Sequence, residues 1–578
     1  MSQTDATQTP RFEDAHGAEH AAEQAGYKKT LNRRQVQMIA IGGAIGTGLF
    51  LGSASRLHSN GPALVLSYAF VGVIAYFLMR ALGELVLYRT TSGAFVSWMR
   101  EFFGEKAAYY TGWMYWTNWA LTGIAELSAV GLYIQYWWPQ MPTWATVLIA
   151  LAVVLVVNLL SAKAFGEFEF WASVLKVAAI IVFLVVGLVV VAFSFDVGGH
   201  RAGVQNLWSN PGGFWPTGGG FAWYGPIIVM SGVVFAYAAI EMVGIAAGEM
   251  EDPKREVPKA VNAVIVRIGV FYCGALLLLV CILPTSEFTA GISPFVTVFG
   301  RMGMPWMANV IQAILIVAAM SSLNSGLYTT GRVLRSLGMA KQAPGFTLRM
   351  SASGVPWAGI VMTAVVYVFG SLLNAVSPDA FEIALEAASI AVVFTWGTIF
   401  LCQLRLRRLT DRGVLPPSSF RAPGTPWTSY LGLAFLLFVL VGMAISGWQA
   451  SPYFWHKTGF VVVVIGIPAL IVIFEIGWLI VKRRVVAHTG GRLLSRWTDT
   501  GLRYPPPAEG PRTESIAALG TVQFEAHEWD NLDAATDDGE DLAGLGTVQI
   551  EMHEWDNLDE PDKNPPEGRD GNPEERGK

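Results

Sequence analysis

The apolar residues of this chain are gathered into runs of about 20, separated by short polar loops. An α-helix rises 1.5 Å per residue, so a run of that length crosses the roughly 30 Å hydrocarbon core of a bilayer. Hydrophobic residues make up 53% of the 578 and charged ones 14%, too little charge to cover the surface of a soluble protein of this size. The bilayer must therefore be the solvent for much of the chain. In that solvent a segment has to satisfy its own backbone, which long apolar runs do as helices.

Six runs form a first group, near residues 36–52, 63–83, 107–133, 144–161, 171–193 and 221–247. Six more follow, near 260–283, 306–337, 357–373, 381–404, 430–447 and 459–481. The expectation is an all-α membrane protein of about twelve spans.

Lys and Arg close to span ends tend to stay in the cytoplasm. One set of alternate loops carries Lys28, Lys29, Arg33, Arg34, Arg89, Arg100, Lys106, Lys163, Lys254, Arg255, Lys259, Arg335, Lys341, Arg405, Arg407, Arg408, Lys482, Arg483 and Arg484. The opposite loops offer Arg56, Arg201, Arg301 and Lys457. Placing the richer side inside puts both termini in the cytoplasm of a cell-membrane protein and requires an even number of spans. The first run follows some 30 polar residues and has no small-residue cleavage site, so no cleaved signal peptide is expected. Cys273, Cys281 and Cys402 all fall within runs, without CxxC or histidine spacing, so neither a disulfide nor a metal site is expected.

The organisation reads as a polar N-terminal tail at 1–30, a transporter domain at 31–487 and an acidic cytoplasmic tail at 488–578. That last tail repeats itself: LGTVQFEAHEWDNLD starts at Leu519 and LGTVQIEMHEWDNLD at Leu545. Each copy sets a tryptophan, Trp529 or Trp555, among acids, a composition suited to docking on a cytosolic partner. A simply solvated tail is the plainer alternative.

Unsatisfied backbone in hydrocarbon costs several kcal/mol, so a span with broken hydrogen bonding survives only where it lines a cavity or binds something polar. The first run reads Ile41-Gly42-Gly43-Ala44-Ile45-Gly46-Thr47-Gly48-Leu49, four glycines where a lipid-facing helix would carry branched residues. If it unwinds there, the amides of Gly46, Thr47 and Gly48 become donors for a carboxylate, such as that of an amino acid. The competing reading is close helix packing, since Gly42 and Gly46 also form a GxxxG pair.

The sixth run carries Phe235-Ala236-Tyr237-Ala238-Ala239-Ile240-Glu241, small residues and a carboxylate near mid-membrane. Runs one and six hold equivalent places if the chain contains two inverted halves of five helices, and paired interruptions mark the binding site in such transporters. Lys176 sits deep in the fifth run, where burial disfavours its charge, so it could exchange a proton or merely tether a neighbouring helix. Further polar residues within runs are Asn118, Glu126, Ser321, Asn324, Ser325, Glu382, Glu386 and Ser389, which line a cavity or act as interhelical glue.

A series of motifs in order carries a family resemblance: RRQVQMIAIGGAIGTGLFLG from Arg33, ALGELVL from Ala81, SGAFVSWMREFFGEKAA from Ser92, FGEFEFWASVLKV from Phe165, FAYAAIEMVGIAAGE from Phe235, EDPKREVPKAVN from Glu251 and NSGLYTTGRVLRSLGMA from Asn324. Over about residues 32–484 the chain resembles the amino-acid transporter family of the amino acid–polyamine–organocation superfamily. Within it the chain looks most like the L-asparagine permeases, with D-serine, D-alanine and glycine transporters next and γ-aminobutyrate permeases further away.

The resemblance implies a LeuT-like fold, five helices plus five inverted, with two additional spans. It implies a substrate amine held by carbonyls around Ala44 and Ile45 and around Phe235 and Ala238, and a carboxylate at Gly46, Thr47 and Gly48, with Glu241 also among the substrate-binding residues. It implies a lysine at position 176 that takes the place of a sodium ion and couples transport to protons. Tyr237, Asn118, Glu126, Ser321, Asn324 and Glu386 are candidate cavity residues. The sequence departs from the commonest family pattern at Ala239, where many relatives have glycine, and a Cβ there could narrow the cavity or limit unwinding.

A passive channel would want a continuous polar stripe, and an intramembrane enzyme would want a nucleophile with its base, a metal cluster or a cofactor motif; the sequence offers neither. A nutrient sensor built on a transporter scaffold is the reading from another class that stays open. The expectation is an amino-acid permease, importing L-asparagine by proton symport through alternating access. Its partners would be a small amino acid and the bilayer, with no nucleic acid and no cofactor beyond the proton gradient.

Overall fold

In the structure, a computed structural model, residues 26–27, 31–42, 45–209, 213–215, 225–250, 252–289, 291–373, 380–450, 458–489 and 493 are described. Both copies of the C-terminal repeat, nearly all of the two tails, and Gly43 and Ala44 lie outside the described residues.

The first run breaks into α1 (Arg33–Gly42), α2 (Thr47–Phe50) and α3 (Gly52–Asn60), reaching eight residues beyond the expected end at 52. Next come α4 (Leu64–Tyr88), the short α5 (Phe95–Phe103), α6 (Glu105–Gln135), α7 (Thr143–Leu160) and α8 (Ala162–Ala192). A two-residue antiparallel hairpin pairs Asp196–Val197 with His200–Arg201, an element the hydropathy pattern gave no sign of. A short α9 (Asn206–Ser209) precedes the sixth run, which comprises α10 (Gly225–Ile228), α11 (Met230–Ala236) and α12 (Met242–Ala246).

The second half holds α13 (Pro253–Val266), a π-helical stretch at Arg267–Gly274, α14 (Ala275–Ile282), α15 (Pro294–Arg301), α16 (Pro305–Met339), α17 (Trp357–Leu373), α18 (Ala380–Asp411), α19 (Trp427–Ala450), α20 (Thr458–Val461) and α21 (Ile467–His488).

Local chemistry sets several of these starts. Asn32 and Gln35 form a reciprocal cap before α1: the Gln35 amide donates to Asn32 Oδ1 at 3.1 Å, and the Asn32 amide to Gln35 Oε1 at 3.0 Å. Ser161 caps α8 by accepting from the Ala164 amide. Asp252 accepts the Arg255 amide ahead of α13, whose first residue, Pro253, has no N–H to leave unsatisfied.

Among the described residues, eight helices are long and apolar enough to cross a membrane. Their outward side chains are large and aliphatic: Leu188, Ile480, Leu437 and Ile149 all stand exposed at positions within spans. Such a surface suits lipid and not water, and it makes the chain a multi-pass membrane protein. α6 falls outside the eight. It is long but less apolar, buried along most of its length, and packs mainly against α16 and α18. α7 and α8 lie at the periphery, with only a third of their most apolar stretches buried.

The two runs expected to be interrupted are both interrupted, and a parallel bridge joins Leu31, ahead of α1, to Met250, just beyond α12. Tyr27, expected to be part of the tail, lies against the guanidinium groups of Arg332 and Arg335.

The GxxxG pair divides between the two readings the sequence allowed. A Cβ added to Gly42 would meet the Ser173 Cβ on α8 at 2.3 Å, whereas one added to Gly46 would find its nearest neighbour, Glu126 Oε1, at 3.6 Å. Gly42 is therefore a packing glycine, and Gly46 has room. Gly42→Ala is expected to cost about 1–3 kcal/mol through overpacking, while Gly46→Ala leaves stability near that of the wild type; thermal melting of the two purified variants in detergent checks the contrast.

Candidate functional site

The helical ladder stops at Gly42 and resumes at Thr47. Across the gap the Ile45 amide donates to the Gly42 carbonyl at 3.0 Å, and the Leu49 and Phe50 amides both reach the Gly46 carbonyl. Among the described residues, Gly46, Thr47 and Gly48 donate no backbone hydrogen bond outside a helix, as the first amides of a helical turn have no acceptor behind them.

The second break covers the turn from Tyr237 to Glu241, between α11 and α12. Ala239 lies there at φ +71°, in the left-handed region that glycine enters freely and alanine at a cost. The sequence suggested that a Cβ at this position could limit unwinding. In this fold the chain unwinds and bears the strained backbone.

The two breaks touch. A Cβ on Gly48 would stand 2.7 Å from the Ala236 Cα, so only glycine lets α2 and the end of α11 come this close. Two tyrosines bind carbonyls at the breaks, and a third ties the second break to α4. Tyr68 on α4 reaches the Gly48 carbonyl at 3.5 Å, Tyr272 in the π-helical stretch donates to the Ala236 carbonyl at 3.1 Å, and Tyr237 donates to the Tyr68 carbonyl at 2.7 Å. The Tyr237 and Tyr272 rings stack with centroids 4.8 Å apart.

Between the breaks and α6 lies a small cavity lined by Gly46, Thr47, Gly48, Asn118, Trp119, Thr122, Glu126, Phe235, Ala236, Ala238, Ala239 and Ser322. Asn118, Thr122 and Glu126 recur every fourth residue, which sets them on one face of α6. The Thr47 hydroxyl donates to Glu126 Oε1 at 3.0 Å, tying that face to the first break. The cavity offers about 20 Å³ of free space, roughly a water molecule or two and too little for an amino acid. Filling it requires its walls to move.

Of the residues singled out in the sequence, Gly46, Thr47, Gly48, Phe235, Ala238, Asn118 and Glu126 meet around this cavity. Ile45 is buried beside it without lining it, and Ala44 lies outside the described residues. Tyr237 turns away to Tyr68, as above. Glu241 is buried behind the second break, where Trp396 Nε1 donates to its Oε2 at 3.5 Å. Glu386 on α18 is half-buried and does not line the cavity, and the side chain of Glu382 lies outside the described residues.

Lys176, Ser321 and Asn324 form a separate cluster. Lys176 is fully buried, and its Nζ donates to Ser321 Oγ at 2.9 Å, linking α8 to α16. Glu169, one residue type the sequence reading passed over, stands 3.9 Å from Lys176 Nζ and accepts from Ser321 and Asn324. Asn158 on α7 completes the set by donating to Asn324 Oδ1 at 2.6 Å.

Glu169 was findable, because seven residues separate it from Lys176 and two helical turns put both on one face. Trp119, Thr122 and Ser322 likewise adjoin singled-out positions in sequence or helical phase. A second buried pair, Arg332 with Glu249, joins α16 to the short turn after α12, with Tyr328 beneath the guanidinium. Its only sequence signal was an arginine inside a run.

The family model described as Amino acid permease matches residues 35–488. The chain is 49% identical to L-asparagine permease 1 of Mycobacterium tuberculosis strain H37Rv over 491 residues, covering 84% of this chain and 96% of that one. It is 48% identical to the L-asparagine permease of Escherichia coli K12 over 478 residues, 82% of this chain and 93% of that one. The L-asparagine permease of Streptomyces coelicolor is 47% identical over 472 residues, with 81% and 93% covered.

Left-handed strain at Ala239 costs roughly 1–2 kcal/mol, more than the roughly 0.5–1 kcal/mol by which glycine's extra freedom favours the unfolded chain. Ala239→Gly is therefore expected to raise the melting midpoint in detergent, and Ala239→Val, which adds a β-branch to the same backbone, to lower it; the two midpoints measured together check the strain.

Proposed function

The chain belongs to the amino acid permease family, and from that membership we propose that it imports L-asparagine together with protons by alternating access. The observation that carries the reading is the meeting of two broken helices around a polar cavity at Gly46–Gly48 and Phe235–Ala239. Breaks of this kind expose backbone donors and acceptors that only a polar ligand or ordered water can satisfy. We assign the α-carboxylate to the amides of Gly46, Thr47 and Gly48, and the α-amine to carbonyls of Ala44, Ile45, Phe235 and Ala238. Glu241, held by Trp396 behind the break, is assigned to positioning that turn.

Substrate identity comes from the relatives: all three quoted above are named L-asparagine permeases and match nearly their whole length. The closed cavity supports a cycle in which the walls part to one side and then the other, with twelve spans, an inverted five-plus-five core and both termini in the cytoplasm. Lys176, buried against Ser321 and Glu169, supports coupling to protons, because gain or loss of its charge would reset the contact between α8 and α16.

Purified protein in proteoliposomes is expected to accumulate labelled L-asparagine when the outside is made acidic, and to stop when a protonophore collapses the gradient. Uptake indifferent to the gradient would remove the coupling. Competition by glycine, D-alanine, D-serine and γ-aminobutyrate tests the substrate, and stronger competition by any of these than by unlabelled L-asparagine would replace it. Gly46→Trp, which fills the cavity, is expected to abolish uptake in a protein that still inserts and purifies.

A further inference from the structure

Eight glutamates are buried among the described residues: Glu84, Glu101, Glu105, Glu126, Glu169, Glu241, Glu249 and Glu256. Six of them have a basic partner, respectively Arg407, Arg89, Arg100, Lys176, Arg332 and Lys259 for Glu84, Glu101, Glu105, Glu169, Glu249 and Glu256. Glu126 and Glu241 have no ion-pair partner among the described residues. Glu241 is turned to Trp396 behind the break, so Glu126 alone combines a buried, unmatched carboxyl with a place on the cavity wall.

Its two oxygens differ. Oε1 accepts the Thr47 hydroxyl, whereas Oε2 accepts no hydrogen bond in the described structure, although the Ser322 hydroxyl of α16 lies beside the carboxyl. The other titratable groups near enough to interact electrostatically with Glu126 are Lys176 from α8, Tyr133 from α6 itself and Tyr367 from α17. Lys176 is already engaged by Ser321 and Glu169. A second carboxylate brought to the first break would lie beside Glu126, since Oε1 is only 3.6 Å from where a Gly46 Cβ would be.

We infer that Glu126 is a substrate-linked proton site: it takes up a proton when the α-carboxylate of the substrate enters the cavity and gives it back when the substrate leaves. Two carboxylates sharing a dry site cannot both stay ionised at little cost, whereas a neutral carboxyl turns the repulsion into an O–H···O⁻ hydrogen bond. The proton comes from bulk water and forms an O–H bond on Oε2; no bond to the substrate is made, and the proton returns to water on release. This rests on the proposed carboxylate seat at Gly46–Gly48. It adds to Lys176 a second titrating group, one bound to the arrival of substrate, as symport requires.

Binding of labelled L-asparagine to the purified protein, measured from pH 5.5 to 9, tests it. If Glu126 must be neutral, wild-type affinity falls as pH rises, approaching about tenfold per pH unit once the group ionises in the empty protein. Glu126→Gln presents an N–H donor at every pH, so its affinity is expected to change by less than about twofold over the same range. Calorimetry in two buffers of different ionisation heat should show proton uptake on binding at alkaline pH in the wild type and none in the variant.

A wild-type pH slope that persists in Glu126→Gln would overturn the inference and leave coupling to Lys176. Loss of binding at every pH would overturn it too, making Glu126 a counter-ion for the substrate amine. If Glu126→Gln fails to fold, Thr47→Val removes the donor that favours the ionised form, and the pH at which affinity falls should move upward; an unmoved profile would count against the inference. Absence of L-asparagine binding by the wild type would instead sink the proposed function itself.

Discussion

The constraint on which the rest depends is that backbone groups inside hydrocarbon must find partners. Two helices of this bundle violate their own ladders near mid-span, and the surrounding structure is arranged to absorb the cost. Tyr68 and Tyr272 reach the carbonyls of Gly48 and Ala236, and Tyr237 ties itself to the Tyr68 backbone. Gly46, Thr47 and Gly48 line the cavity, and among the described residues their amides have no acceptor outside a helix.

The charges follow the same economy. A buried ion pair seldom adds stability over an apolar replacement, but removing one member leaves the other uncompensated at roughly 3–5 kcal/mol. Arg332 with Glu249 therefore pins the turn after α12 to the long helix α16, while Lys176 and Glu169, both on α8, reach the same helix through Ser321. The Arg332–Glu249 pair ties one side of the second break to a rigid element, whereas Glu126, on the cavity wall, has no ion-pair partner among the described residues.

Much of the fold was legible in sequence because the bilayer reads periodicity and length simply. Runs of about 20 apolar residues could be nothing but spans, and the glycines of 42–48 and small residues of 235–239 marked both interruptions. The division of labour within the GxxxG pair was not legible, since Gly42 and Gly46 look alike until Ser173 is seen against one and open space beside the other. The tyrosines that hold the breaks come from α4 and the π-helical stretch, distant in sequence, and tertiary approach alone gives them meaning. α6 was legible as a span but not as the centre of the site, because its polar face at Asn118, Thr122 and Glu126 is diluted by the apolar residues on its other sides.

Ala239 links the local strain to the cycle. Its left-handed backbone is held by packing on both sides of the second break, with Phe235 and Ala236 against Gly48 on one side and α12 on the other. A conformation that costs energy is stable only while those contacts last. In the proposed cycle, opening of a cavity too small at present for an amino acid would loosen the Gly48–Ala236 approach and let the strain at Ala239 relax, so that this residue would weight the empty protein against closure and leave closure to the ligand's own contacts.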